Sequence, residues 1–147
     1  IVEVSAGTSI VAMSMACPSA RCIAVAPSGQ EAEAMRHIAS EHPSIEVKNT
    51  DEMALFSQLL HQVEEVELLH VAHTPHYREV IEMALPHVGD GSLFIIEGID
   101  ADADKRAWWE TLQESLHAVV SYDVDSVGLL RFDKARYKNR YWISLKK

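Results

Sequence analysis

Three histidines, His70, His73 and His76, recur at every third position and are the first residues to question for chemistry. Imidazoles at that spacing could share a metal ion if their rings converged. Val66–Val71 is a nearly continuous apolar run of strand character, however, and side chains alternate along a strand, so His70 faces away from His73. Pro75 then breaks any helical register that would bring His73 and His76 together. The spacing predicts no metal centre, with His73 and His76 as solvated neighbours. Cys17 and Cys22 fall at a helix end and a strand start, and small buried thiols are the expectation for both. Asp100, Asp102 and Asp104 resemble half a calcium loop, but the loop's glycine and distal glutamate are missing. Acidic residues stabilising a helix N-terminus account for them. The chain contains no G-x-G-x-x-G fingerprint, no phosphate-binding G-x-x-x-x-G-K-[ST] loop and no G-x-S-x-G elbow, which argues against a dehydrogenase, a P-loop nucleotidase and a serine hydrolase.

The elements that must position these residues alternate in type. Ile1–Val4 reads as a short strand and residues 8–17 as a helix that Pro18 closes. Arg21–Ala26 and Ile45–Val47 read as strands, with Gln30–Ser40 between them as a helix through Ala32, Met35, Ile38 and Ala39. Asp51 is a predicted N-cap for a helix that turns Met53, Phe56, Leu59 and Leu60 inward. Val66–Val71 and Ser92–Ile96 have the composition of strands buried on both faces of a parallel sheet, and His76–Val88 forms a helix between them. Residues 102–116 form a helix whose Trp108, Trp109, Leu112 and Leu116 lie on one core-facing stripe. Ala118–Tyr122 and Val127–Phe132 are too close for a crossover helix, so they must be antiparallel. Tyr141, Ile143 and Leu145 alternate as an expected last edge strand. Five βα units and a terminal hairpin predict one open α/β sheet over residues 1–147, with no linker dividing it.

Composition narrows the function classes. A chain of 147 residues that is 48% hydrophobic and 24% charged is neither disordered nor fibrous. No apolar run approaches the ~20 residues of a membrane-spanning helix. With two cysteines and no secretory leader read at its start, the expected setting is a reducing cytoplasm. The chain opens on Ile1 inside an apolar run, so a preceding portion, removed or lying outside this sequence, is expected. The net charge of −9 is uneven: the first 130 residues carry −15, and the segment from Arg131 carries seven basic residues and one acidic, +6. An acidic body predicts no nucleic-acid binding. The basic segment is expected to be either a complement to that body or the edge of a salt-sensitive homodimer.

In open α/β sheets ligands sit beyond the carboxyl ends of the strands, near the switch in strand order. The residues there are Ser5–Ser9, Ala26–Gly29, Asn49–Glu52, Ala72–Tyr77 and Glu97–Asp102. Glu3-Val4-Ser5-Ala6-Gly7-Thr8-Ser9 resembles the glycine-rich first motif of the class I S-adenosylmethionine-dependent methyltransferases, and the five βα units with a hairpin resemble that family's sheet. The resemblance implies a Rossmann-like methyltransferase fold with strand order 3-2-1-4-5-7-6 and S-adenosylmethionine as cofactor. It also implies cofactor contacts at Glu3, Ser5, Ala6, Gly7, Thr8, Ser9, Ala26, Pro27 and Ala72. His73, His76, Tyr77 and Glu97 are the candidate catalytic groups for methyl transfer to a small-molecule acceptor. The sequence departs from the family pattern at Ser5 and Ser9, where glycines would stand, at Ala26 in place of the ribose-binding acid, at Ala72 in place of an aspartate, and at Glu97-Gly98 in place of two acids. Losing the two charge-assisted ribose hydrogen bonds would cost about 1.5–3 kcal/mol each. Two readings follow: a methyltransferase with eroded cofactor motifs, or a methyltransferase-like binding or scaffold domain that has lost the cofactor.

Overall fold

The computed structural model describes residues 1–5, 7–26, 28–49, 53–116, 119–133, 135 and 137–145, with the backbone alone at 54 and 55. Among them eight strands form one sheet: β1 (Val2–Val4), β2 (Cys22–Ala26), β3 (Ile45–Asn49), β4 (Leu68–Val71), β5 (Leu93–Glu97), β6 (Val119–Val124), β7 (Val127–Phe132) and β8 (Asn139–Ile143). The helices between them are α1 (Ser9–Ala16), α2 (Gly29–Ile38), α3 (Met53–Leu60), α4 (Tyr77–Ala84) and α5 (Ala103–Ser115). The strand order is β3-β2-β1-β4-β5-β7-β6-β8, so the expected 3-2-1-4-5-7-6 core is present and β8 extends it by one strand. β1 to β5 run parallel, and β7 is antiparallel to both β5 and β6. β8 returns parallel to β6, which brings its carboxyl end to the same side of the sheet as those of β5 and β6.

Alternation along the central strands divides the core. Ile23 and Val25 of β2 join Val2, Val4, Phe56, Val80, Phe94 and Trp109 on the face covered by α3, α4 and α5. Cys22 and Ala24 point the other way and pack with Ile10 of α1 and Met35 of α2. The same alternation in β1 sends Val2 and Val4 to the first face and turns Glu3, between them, towards α1. Two helix starts are set by short-range chemistry. Ser28 and Glu31 form a reciprocal capping box at α2. Asp102 accepts from Lys105 N at 2.7 Å at the head of α5, with Asp104 in the first turn, as the acidic spacing predicts.

Several sequence expectations are corrected here. Cys22 is buried as expected, but Cys17 is exposed, because α1 ends at Ala16 and leaves it outside the sheet packing. β6 extends two residues past Tyr122, since a two-residue turn at Asp125-Ser126 lets the hairpin pair to its end. β8 is an edge strand, but alternation does not bury one side of it. All five residues are exposed, and Leu145 lies beyond it. An outermost strand with no helix packed on it has no inner face to define. The basic segment meets the acidic helix beside it: Lys138 Nζ donates to the Glu114 carbonyl at 2.6 Å, and Arg140 approaches Glu114 Oε1 at 3.9 Å. The predicted cap Asp51 and the strand start at Ala118 lie outside the described residues.

Candidate active site at the carboxyl rim

The order of the sheet switches between β1 and β4, both of which pair with neighbours on opposite sides. At that point Ala72 N donates to the Val4 carbonyl at 3.1 Å, and Ser5 N donates to Val25 at 3.1 Å. Ser5 then takes φ +56°, the left-handed region that glycine usually occupies. Holding a serine there costs roughly 1–2 kcal/mol, and Ser5 adopts the left-handed backbone that a glycine would supply without strain. Ser9 bears no such strain, because it is the first residue of α1. The space around Gly7 is open: a Cβ built there would have no atom within 4 Å. Thr8 stands at the N-cap of α1 without a capping hydrogen bond from its side chain. Ala6 and Pro27 lie outside the described residues.

Beneath this turn lies an ionic chain, buried at Glu3 and His70 and partly exposed at Glu97. Glu3 is fully buried, and its Oε1 accepts from Ser9 Oγ and from His70 Nδ1, the latter at 2.7 Å. His70 Nε2 reaches Glu97 Oε1 at 3.1 Å. Between two ionised carboxylates, which only accept hydrogen bonds, a bridging imidazole carries both protons and is charged. Burial opposes that charge, but the hydrogen bond and charge of Glu3, and then those of Glu97, outweigh it and raise His70 above the ordinary histidine value. Glu3 Oε2 is buried with no hydrogen-bond partner among the described residues.

The second part of the rim is a cleft of about 290 Å³ between the β4 and β5 loops, lined by His73, Thr74, Tyr77, Asp102 and Lys105 among others. Gly98 opens it, with φ +64° and no Cβ. A Cβ there would fall 2.6 Å from His73 Cε1, so the glycine is what lets His73 lie over the β5 loop. Lys105 is buried, donates from Nζ to the Glu97 carbonyl at 2.7 Å, and sits 4.5 Å from the Tyr77 ring centroid. Burial holds its ammonium below the ordinary lysine value, against the opposing charges of Asp102 and Glu97. Tyr77 packs edge-on against Trp108 at 4.7 Å, and its hydroxyl accepts from Arg78 Nε at 3.0 Å.

The structure therefore brings His73 and Tyr77 to one cleft and ties Glu97 to His70 beside it. His76 stands at the exposed N-cap of α4 and does not line the cleft. Glu3 lies below the turn rather than on its surface, Ala72 is half-buried, and Ala26 is fully buried at the end of β2. Two residues outside the sequence-derived set matter here. Alternation along β4 turns His70 away from His73 and points it at Glu3, its register partner in β1. A histidine inside an otherwise apolar strand was the available signal. Lys105 carried no signal of its own, since a lysine in the first turn of a helix usually faces solvent.

No family model matches the sequence, and no curated protein matches it significantly. Solved structures do share the fold. An O-methyltransferase from Bacillus cereus in complex with SAH superposes with a TM-score of 0.72 at 14% identity, over 88% of this chain and 72% of that one. TomG, an O-methyltransferase from Streptomyces achromogenes in complex with SAM, gives 0.70 at 15% identity over 90% and 72%. The N-methyltransferase NodS from Bradyrhizobium japonicum gives 0.64 at 14% identity over 90% and 85%. On these superpositions, this chain has the Rossmann-like fold of these methyltransferases.

Proposed function

We propose that this chain is a methyltransferase domain that moves a methyl group from S-adenosylmethionine to a small molecule. The observation that carries the reading is the β1–α1 turn, left-handed at Ser5 and open at Gly7, at the switch point of the sheet. That backbone fits the cofactor: Ser5, Gly7 and Ser9 would hold its amino-acid end, and Ala26 would lie against the ribose without a carboxylate to bind it. When bound, the cofactor supplies an electrophilic methyl group on a sulfonium sulfur. The chain's own residues position the acceptor and take its proton. Lys105, with its proton affinity lowered by burial, and His73 stand in one cleft for that role. Tyr77 forms an aromatic wall, and Glu97 holds Lys105 through its carbonyl while its carboxylate stays with His70. No magnesium is required in this reading, because Ala72 and Gly98 stand where a hard cation would need carboxylates. The acidic body favours a small acceptor over nucleic acid, in a cytoplasmic setting, with any dimer along the basic edge weakened by salt.

The test is calorimetric titration of the chain with S-adenosylmethionine and S-adenosylhomocysteine, with and without a chelator. Saturable binding weaker than low micromolar, unchanged by the chelator and tightened about tenfold by Ala26→Asp, is expected from restored ribose hydrogen bonds. Low-micromolar or tighter binding by the unaltered chain would show that Ala26 costs nothing. A second reading, a scaffold that no longer transfers methyl groups, draws on Ala26 and on the engagement of Glu3 and Glu97 by His70. Absence of binding by both the unaltered chain and Ala26→Asp selects it.

A further inference from the structure

A second concave surface stands apart from the rim: a cleft of about 500 Å³ where the carboxyl ends of β6 and β8 meet the first half of α5. It shares no lining residue with the His73–Lys105 cleft. Its size falls within the ~300–1,000 Å³ of small-molecule sites. Asp100, Glu110, Asp123 and Asp125 line it, with Arg106 as the one cation among the described lining residues and the indole of Trp142, which is 76% exposed. We propose that this cleft binds a small organic cation, an amine or guanidine carried on an apolar or aromatic body.

The argument rests on three features of the walls. Charge is unbalanced: Arg106 is already held by Glu110 at 2.9 Å and by Asp123 at 2.8 Å, while Asp100 and Asp125 add two further carboxylates to the lining. A cleft lined by one sign of charge concentrates the opposite ion. The aromatic surface is of the kind cations seek, and the molecule itself demonstrates this, because the Arg106 guanidinium lies 5.3 Å from the Trp142 ring centroid. A large indole left on the surface at the mouth of a cleft has a second face and an edge still available to a ligand. The walls are also held in place before any ligand arrives. Asp123 is buried and accepts from Trp109 Nε1 and Gln113 Nε2, and Asp125 accepts at Oδ2 from Leu145 N at 3.2 Å while its own N–H donates to Ile143. Such a frame costs a ligand little reorganisation.

This proposal does not depend on the methyltransferase reading, and its test separates the two. The chain is titrated by calorimetry at low salt with phenethylamine, phenylguanidine and the neutral analogue 2-phenylethanol, and the indole N–H of Trp142 is followed by NMR. One-site saturation by the cations below about 1 mM is expected, with the alcohol at least about tenfold weaker. Trp142→Leu and Asp125→Asn should each weaken cation binding several-fold; asparagine tolerates the φ of +50° at Asp125, so that variant keeps the turn. Saturating S-adenosylhomocysteine should not displace the cations, and raised salt should weaken them. Equal binding of the alcohol would reduce the site to an apolar hollow and overturn the proposal. Displacement by S-adenosylhomocysteine, failure of the cations to saturate, or full affinity in both variants would overturn it as well.

Discussion

Glu3 and Asp123 are two buried carboxylates on parallel-running strands of one sheet, and they are neutralised by different means. Glu3 depends on His70, a partner that loses its charge as pH rises, and its Oε2, like Asp123 Oδ2, accepts no hydrogen bond among the described residues. Asp123 takes two neutral donors, Trp109 and Gln113, and the guanidinium of Arg106, which stays charged throughout the range in which proteins fold. The β6–β8 edge is therefore electrostatically fixed, whereas the β1–β4–β5 rim carries a charge that can be removed. The tunable arrangement lies under the candidate active site, and the permanent one frames the cleft at the far edge.

The most severe way to break this comparison is to remove the histidine. His70→Ala leaves Glu3 buried without its counter-charge and should destabilise the fold by about 3–5 kcal/mol in urea unfolding. The double variant Glu3→Leu/His70→Leu should recover most of that loss. A cost below about 1 kcal/mol for the single variant would mean that water reaches Glu3 and that the chain is not a buried one. Arg106→Met removes the corresponding charge at Asp123, but Trp109 and Gln113 remain as donors. The expected loss is smaller, about 1–3 kcal/mol, and a loss matching that of His70→Ala would erase the distinction between the two sites.

A pH series sharpens the comparison further. The folded-state value of His70 is raised, so its contribution is fully present below the unfolded histidine value and is lost as pH rises through the folded one. Urea unfolding should show stability declining above about pH 6.5 in the unaltered chain, with that component absent from His70→Gln. Ring-proton NMR should place the His70 titration above the ordinary histidine value; an unshifted value would contradict the geometry. The smallest effect concerns the turn above Glu3. Ser5→Gly removes the left-handed strain and should raise stability by about 0.5–1 kcal/mol. Ser9→Gly, inside α1 and deprived of its bond to Glu3, should instead lower it by about 1 kcal/mol. Thermal melts distinguish the two signs.

Much of the fold was legible because its signals are local. Apolar runs with flanking Pro18 and Gly89-Asp90-Gly91 mark the elements, and the short spacing at Asp125-Ser126 forces the hairpin. The interior of the site was less legible. Alternation along β4 identified which way His70 does not face, but only the pairing of β1 with β4 supplies Glu3 as its neighbour. Spacing alone placed His76 beside His73; the turn before α4 leaves His76 exposed outside the cleft. The exposed indole of Trp142 became meaningful only when β8 laid it beside Arg106, 36 positions earlier in the chain.

By itself the sequence determined the alternation of strands and helices, the antiparallel end, the polarity of the α5 start and the residues at the carboxyl rim. Each follows from period, capping or chain length, which act over a few residues. Tertiary structure alone decided that Glu3, His70 and Glu97 form one ionic chain, that Lys105 is buried on a carbonyl of β5, and that the last strand joins the sheet parallel to β6. These depend on which strands become neighbours and in what register, and a strand carries its side-chain period in its own residues but not the identity of its partner.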